Sequence, residues 1–211
     1  MAGLTGVAEE TVERISMYRV LLAGLLQAGT KSVYSHQIAT SAGVSAAQVR
    51  RDIMALGYTG SPQRGYGVAE LIESIDSFLD APGGQNVALV GVGNLGRAVA
   101  NYFVGRRPKL RLVALFDVDP EKYDRVISGV RCHPQERLAE TLRREGISIV
   151  ILSVPTDAAQ AVAEACVAGG ARGILNFAPV ALRVPPTVHV ETMDMARALE
   201  KVAYFARQAS R

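Results

Sequence analysis

A four-residue apolar run, Val87 to Val90, feeds directly into Gly91-Val92-Gly93-Asn94-Leu95-Gly96 and then into helical patterning through Tyr102. A G-x-G-x-x-G set between a strand and a helix leaves few folds open, because each glycine answers a separate steric demand. The first makes a tight turn, the second lets a pyrophosphate approach the backbone, and the third allows helix and strand to pack closely. The unpaired N–H groups and positive dipole end of the following helix complete an anion site. The glycines alone are a weak signal, and the flanking strand and helix give them weight.

The next strand, Leu110 to Phe116, ends in Asp117-Val118-Asp119-Pro120. Asp117 stands where an acid hydrogen-bonds the adenosine ribose 2′-OH, and an acid there repels a 2′-phosphate, so NAD(H) is expected rather than NADP(H). A helix cap after the strand is the alternative reading for Asp117 and the favoured one for Asp119. The βα alternation continues with a short strand near Val130, a helix from Gln135 to Arg144, a strand from Ile147 to Val154, a helix to Ala168 and a strand near Ile174. This pattern predicts an α/β fold of Rossmann type, with a doubly wound parallel sheet. Ligands bind beyond the carboxyl ends of such strands, which brings Ser153, Val154 and Pro155, and Asn176, Phe177 and Ala178, into the expected cofactor site. Both segments also fit plain strand-to-loop turns.

The first eighty residues follow a different period. From Glu9 to Gln27, Val12, Ile15, Leu22 and Leu26 recur at three- and four-residue steps, predicting an amphipathic helix. A second short helix is expected from Ser35, read as its N-cap, to Gly43. A third runs from Ala46 to Leu56, with Ser45 and Gln48 as an S-x-x-Q capping box. Two helices joined by a short glycine-containing turn form a helix-turn-helix. With Val49, Ile53 and Leu56 facing inward, Ser45, Ala47, Gln48, Arg50 and Arg51 fall on the half that faces a DNA major groove. Arg can grip guanine and Gln adenine bidentately. Tyr58 to Val68, rich in Gly, Ser and Pro, predicts a β-hairpin, with Arg64 suited to a narrow minor groove. An ordinary three-helix bundle with a mobile loop is the alternative. A helix from Ala69 to Leu79 then leads to the linker Asp80-Ala81-Pro82-Gly83-Gly84.

Net charge is +3, which permits nucleic-acid binding without demonstrating it. Up to Gly84 six bases face eight acids, but the acids cluster in the first helix and after Val68, away from Arg50, Arg51 and Arg64. DNA binding must therefore rest on local placement and on doubling in a dimer. No apolar run approaches the roughly 20 residues that cross a bilayer, and the start lacks the pattern of a signal peptide, so a cytoplasmic protein is expected. Cys132 and Cys166 are isolated, with no CxxC and no histidine at metal spacing, and no metal site is expected. From Glu191 to Gln208 a helix is expected whose Met195, Leu199, Val202, Tyr204, Phe205 and Ala206 spread around most of its circumference, so it should pack on a second subunit or between domains.

In sum these patterns predict a winged helix-turn-helix domain over residues 1–79, a linker over 80–86, a Rossmann domain over 87–190 and a terminal helix over 191–211. The order of parts resembles the Rex family of bacterial redox-sensing transcriptional repressors over nearly the whole chain. The motifs are Val44-Ser45-Ala46-Ala47-Gln48-Val49-Arg50-Arg51-Asp52, the glycine fingerprint, Phe116-Asp117-Val118-Asp119-Pro120, Ser153-Val154-Pro155 and Asn176-Phe177-Ala178-Pro179-Val180. The resemblance implies a homodimer that exchanges its C-terminal helix, binds inverted-repeat operator DNA, senses the NADH to NAD+ ratio and leaves DNA when NADH binds. It also implies that Arg19, Tyr102 and Asp194 form an interdomain and intersubunit switch contact.

The chain departs from the family pattern in three places. The wing, usually Gly-Thr-Arg-Gly-Val-Gly-Tyr, is Gly60-Ser61-Pro62-Gln63-Arg64-Gly65-Tyr66, and Asp52 is followed by Ile53-Met54-Ala55-Leu56-Gly57 in place of Leu-Ser-Tyr-Phe-Gly. The usual Asp-Phe before the last helix is Asp194-Met195. Two alternatives stay open: a paralogue whose DNA binding ignores NADH, and a small NAD-dependent oxidoreductase. The latter needs a positioned acid or base. His36, His133 and His189 are isolated, no Tyr-x-x-x-Lys is present, and there is no room for a substrate domain after the last strand.

Overall fold

The computed structural model describes residues 7–61 and 63–208. The wing residue Pro62 and the outermost ends of the expected terminal domains lie outside the described residues. The chain divides into two compact units, Met1–Pro82 and Gly83–Arg211.

In the first unit α1 (Glu9–Gln27), α2 (Ser35–Ala42), α3 (Ala46–Ala55) and α4 (Val68–Leu79) enclose one core, with β1 (Ser32–Val33) and β2 (Tyr66–Gly67) at its side. Ile15, Tyr18 and Leu22 of α1 bury against Ile38 and Ala39 of α2, Val49 and Ile53 of α3, and Leu71 and Ile75 of α4. Full burial of side chains this size stabilises by about 1.5–3 kcal/mol each. Gly43 closes α2 in the left-handed conformation at φ 67°, a backbone setting that a Cβ disfavours.

The helix-turn-helix is present, and three local expectations change. Ser35 is the first helical residue rather than the cap, and the preceding Tyr34 N–H donates to Gln37 Oε1 at 2.8 Å. Only half of the capping box forms. Ser45 Oγ accepts the Gln48 N–H at 3.1 Å, while the Gln48 side chain is drawn away by Asp52. The hairpin expected over Tyr58 to Val68 contracts to a single Ser61–Gly65 bridge. Tyr66 and Gly67 pair instead with Val33 and Ser32, antiparallel, because Tyr58 to Gly60 form no strand against them.

The second unit is a sheet ordered β5-β6-β4-β3-β7-β8-β9. Its strands are β3 (Gln85–Val90), β4 (Leu110–Asp117), β5 (Val126–Ile127), β6 (Val130–Pro134), β7 (Ile147–Leu152), β8 (Gly173–Asn176) and β9 (His189–Thr192). All neighbouring pairs from β6 to β9 are parallel, and β5 folds back antiparallel on β6. Numbering the six parallel strands in chain order gives 3-2-1-4-5-6, the dinucleotide-binding arrangement. Helices α5 (Asn94–Phe103), α6 (Leu138–Arg144) and α7 (Thr156–Ala168) connect them.

Buried residues form one cluster around Phe116, Leu138, Leu142, Val150 and Val162 and another around Leu89, Val99, Leu115 and Ile151. Two apolar clusters are what a sheet covered on both faces requires. β9 replaces the start of the expected terminal helix: Glu191 and Thr192 pair with β8 and the helix begins at Met195, because four residues alternating exposed and half-buried are too short a run to read as a strand. The strand expected near Val130 is the β5–β6 pair, and the helix expected from Gln135 opens as a 3-10 turn, Gln135–Arg137.

The terminal helix α8 (Met195–Gln208) has no buried residue in the single chain. Its apolar side chains do not encircle it. At 100° per residue, Met195, Ala198, Leu199, Val202, Phe205 and Ala206 form one stripe, with Arg197, Glu200, Lys201 and Arg207 opposite and Tyr204 alone among the polar positions. Met195, Leu199, Val202 and Phe205 are each more than half exposed.

Candidate functional site

The glycine loop is braced from both neighbouring strands. Register aligns Val90 with Phe116 on one side and Leu152 on the other, and Leu152 with Asn176. The segments after these four strands therefore emerge at one sheet edge. Gly91 N–H donates to Phe116 O at 2.8 Å, and the Ser153 hydroxyl donates to Gly91 O at 2.7 Å. Asp117, 6% exposed, accepts the Val92 N–H at 2.6 Å, the Asp119 N–H at 2.9 Å and Lys122 Nζ at 3.0 Å. Burial alone would raise this carboxyl. The Asp119 and Val92 N–H groups and the Lys122 ammonium outweigh it and hold Asp117 below the usual carboxylate range.

The three glycines divide by what a side chain would meet. At Gly91, where φ is 91°, a Cβ would lie 2.4 Å from Ser153 O, and at Gly96 it would lie 1.9 Å from Gly91 O; at Gly93 it meets nothing within 4 Å. The outer two glycines are thus filled by the protein itself. Gly93, at the head of α5, faces open space where a pyrophosphate would need to approach. Asn94 beside it is exposed and Leu95 half-buried. This arrangement fits a dinucleotide.

The remaining expected residues separate into wall and brace. Val118 and Pro155 are exposed and Val154 and Phe177 half-buried at the same edge. Asn176 is fully buried and spends its amide on its own turn, donating to Ala178 O and Val180 O and accepting the Ala178 N–H. Asp119 caps the Glu121 N–H at 3.0 Å and lies 3.5 Å from Lys122. The sequence reading missed Lys122, whose signal is a cation five residues after the fingerprint acid. It also missed Arg97, whose Nε lies 3.4 Å from Val92 O. Cys132 and Cys166 are buried, and burial pushes their thiols up to about 11 and about 12, far from reactive thiolates.

On the first unit Ala47, Arg50, Arg51 and Arg64 are exposed together with Ser45. Arg50 Nη1 donates to Ser35 Oγ at 3.2 Å, which ties α3 to the start of α2. Tyr34, Ser35, Arg50, Gly60, Ser61, Gly65 and Tyr66 line a groove of about 320 Å³ between α2, α3 and the wing. Sequence reasoning also missed Asp52. It is 2% exposed and accepts from Arg14 Nε at 2.8 Å, Arg14 Nη2 at 2.9 Å and the Tyr18 hydroxyl at 2.9 Å. Burial opposes the charge, but Arg14, Gln48 and Tyr18 together hold Asp52 below its ordinary range.

The expected switch residues are each engaged locally. Arg19 Nη1 pairs with Asp76 at 3.2 Å and Asp80 at 3.0 Å, while its buried Nε has no hydrogen-bond partner among the described residues. Tyr102 is exposed beneath the Arg106 guanidinium, 4.3 Å from its ring centre. Asp194 accepts the Arg197 N–H at the head of α8.

Residues 84–180 match a family described as "CoA binding domain" and residues 6–53 one described as "Putative DNA-binding protein N-terminus". The "Redox-sensing transcriptional repressor Rex" of Brevibacillus brevis is 35% identical over 97% of this chain and 99% of its own. Two solved structures of RSP are similar throughout. RSP in complex with beta-NAD+ and operator DNA has a TM-score of 0.89 at 31% identity, covering 98% of this chain and 95% of that one. RSP in complex with beta-NADH has a TM-score of 0.87 at 30% identity, covering 98% and 97%. Sharing both units, their order and more than 30% identity over nearly its full length with such a relative, the chain belongs to the Rex family of redox-sensing transcriptional repressors.

Proposed function

We propose that this protein is an operator-binding repressor that reads the NADH to NAD+ ratio and leaves its DNA when NADH is bound. The observation that carries the reading is Gly93. Between two glycines filled by the protein's own backbone and the Ser153 hydroxyl, it alone leaves room at the head of α5, on a chain that also bears an exposed Ser45-capped reading helix. The likeness to RSP, solved with NAD+ and operator DNA and with NADH, supports it.

In this reading the backbone of Gly91, Val92, Gly93, Asn94, Leu95 and Gly96 and the head of α5 hold the pyrophosphate. Asp117, Val118 and Asp119 hold the adenosine ribose and select NAD(H), and Ser153, Val154, Pro155, Asn176, Phe177 and Ala178 shape the nicotinamide side. When bound, the cofactor supplies a ring that is charged when oxidised and neutral when reduced. In this reading the protein acts as a sensor rather than an enzyme, as its likeness to the redox-sensing repressors supports.

Ser45, Ala47, Gln48, Arg50 and Arg51 meet an inverted-repeat major groove and Arg64 an adjoining minor groove. Two copies join in a homodimer by exchanging α8, whose apolar stripe would otherwise stay in water. Arg19, Tyr102 and Asp194 are the residues to which this reading assigns the switch. Among the described residues no helix is long and apolar enough to cross a membrane; as a reader of operator DNA the protein would work where that DNA is, in the cytoplasm.

The test sets DNA release against turnover. The purified chain is expected to retain inverted-repeat DNA in a gel shift, to release it on adding NADH, and to leave NADH unoxidised in the presence of small carbonyl compounds. Steady NADH oxidation without DNA retention would overturn the reading.

A further inference from the structure

The reading face of α3 is wired to the core of its own unit. Asp52 is the hub: besides both Arg14 nitrogens and Tyr18, its Oδ1 accepts Gln48 Nε2 at 2.8 Å. The opposite end of the same amide, Gln48 Oε1, accepts Arg51 Nη2 in a short contact. A carboxylate only accepts and a guanidinium only donates, so this orientation of the Gln48 amide satisfies both neighbours and the flipped one satisfies neither. From α1 to the exposed face, the order is Arg14, Asp52, Gln48, Arg51.

We infer that Gln48 is a positioning residue, not a base reader: it carries the fixed placement of buried Asp52 out to Arg51 and presents the Arg51 fork ready-set to a guanine edge. The inference rests on the operator-binding reading above and refines one residue within it. Reading adenine bidentately takes the oxygen and the nitrogen of a glutamine amide together, and here each already serves a neighbour, Nε2 donating to Asp52 and Oε1 accepting from Arg51, so the amide cannot turn to face a base without breaking the relay. Holding Arg51 through one Nη leaves the rest of its donors for DNA. An exposed arginine otherwise gives up much of its rotamer freedom on binding. A preset one has surrendered part of it already, and the wrong base meets a donor fork that cannot swing to a substitute partner.

Arg14 and Asp52 are poor places to test this, because breaking a buried pair destabilises the whole unit. Gln48 is half-exposed, and Gln48→Met keeps its length while removing both amide ends. The full-length chain, Q48M, R51M and the double variant are compared on the inverted repeat that the unmodified protein selects from a randomised duplex pool, on its single-base variants and on a scrambled duplex.

Q48M removes one of the four hydrogen bonds to Asp52 and is expected to melt lower than the unmodified protein while staying folded, so its discrimination is read as the ratio of its affinities for selected and scrambled DNA. It should lose about tenfold of discrimination, at the same base pair that R51M relaxes. The double variant is expected to match R51M alone, because without Arg51 there is nothing left to position. Additive losses, relaxation at a different base pair, or full discrimination by Q48M would overturn the positioning role and return Gln48 to direct reading or to solvent. If the unmodified protein does not distinguish its selected repeat from scrambled DNA, the operator-binding reading itself fails, and the relay with it.

Discussion

Asp117 Oδ2 accepts the Val92 N–H at 2.6 Å, tying the end of β4 to the turn that opens the glycine loop. The acid proposed to hold a ribose thus also holds the glycine loop proposed to admit the pyrophosphate. Lys122, 3.0 Å away, offsets the charge that burial would otherwise penalise.

Replacing Asp117 by Ala frees the loop and strands the Val92 and Asp119 N–H groups. Hydrogen bonds to charged groups contribute about 1.5–3 kcal/mol each, so calorimetry is expected to show NADH affinity at least tenfold weaker, with a lower melting temperature for the Rossmann unit. DNA affinity without nucleotide should stay at the unmodified level. Unaltered NADH affinity would remove Asp117 from the site.

The glycines give a sharper contrast. Gly93→Ala is expected to melt within a few degrees of the unmodified protein and to lose NAD(H) binding, since the new methyl enters open space at φ −77°. Gly96→Ala drives a methyl to within 1.9 Å of Gly91 O, and is expected to cost several kcal/mol of stability. Thermal melts beside NADH titrations check both, and a Gly93→Ala protein that binds NADH normally would place the pyrophosphate elsewhere.

The buried Asp52 sets an acid limit on the DNA-reading unit. Its folded pKa lies below the ordinary 3.8, so its contribution is complete above that value and is lost as pH falls through the folded pKa. The stability gap between the unmodified protein and Asp52→Asn, measured by urea unfolding, is expected to be widest at neutral pH and to close below about pH 3.8. A gap that widens on acidification would contradict the assignment.

The sequence displayed features that rest on local rules. The glycine loop between Val90 and Asn94, the Ser45 cap and the Gly43 turn all follow from backbone sterics within a few residues. Partnerships between distant residues were hidden. Nothing near Asp52 in the sequence announces its partners, and only the fold brings Arg14 and Tyr18, 38 and 34 residues away, onto its oxygens. β1 and β9 were invisible because two- and four-residue strands owe their pairing to β2 and β8, not to their own pattern. The turn-bracing bonds of the Asn176 amide to Ala178 and Val180 were likewise not legible in the sequence. In α8 the stripe was legible from its spacing, and reading it as apolar all round overlooked the basic and acidic residues on the opposite face.

Coupling of dinucleotide to DNA is the central claim, and one titration reaches it. Fluorescence anisotropy of a labelled duplex carrying the selected inverted repeat is followed with the full-length protein at constant total dinucleotide while the NADH to NAD+ ratio is raised. The anisotropy is expected to fall to that of free DNA as NADH replaces NAD+. Anisotropy that holds steady across the whole range, in a protein shown by calorimetry to bind NADH, would contradict the account.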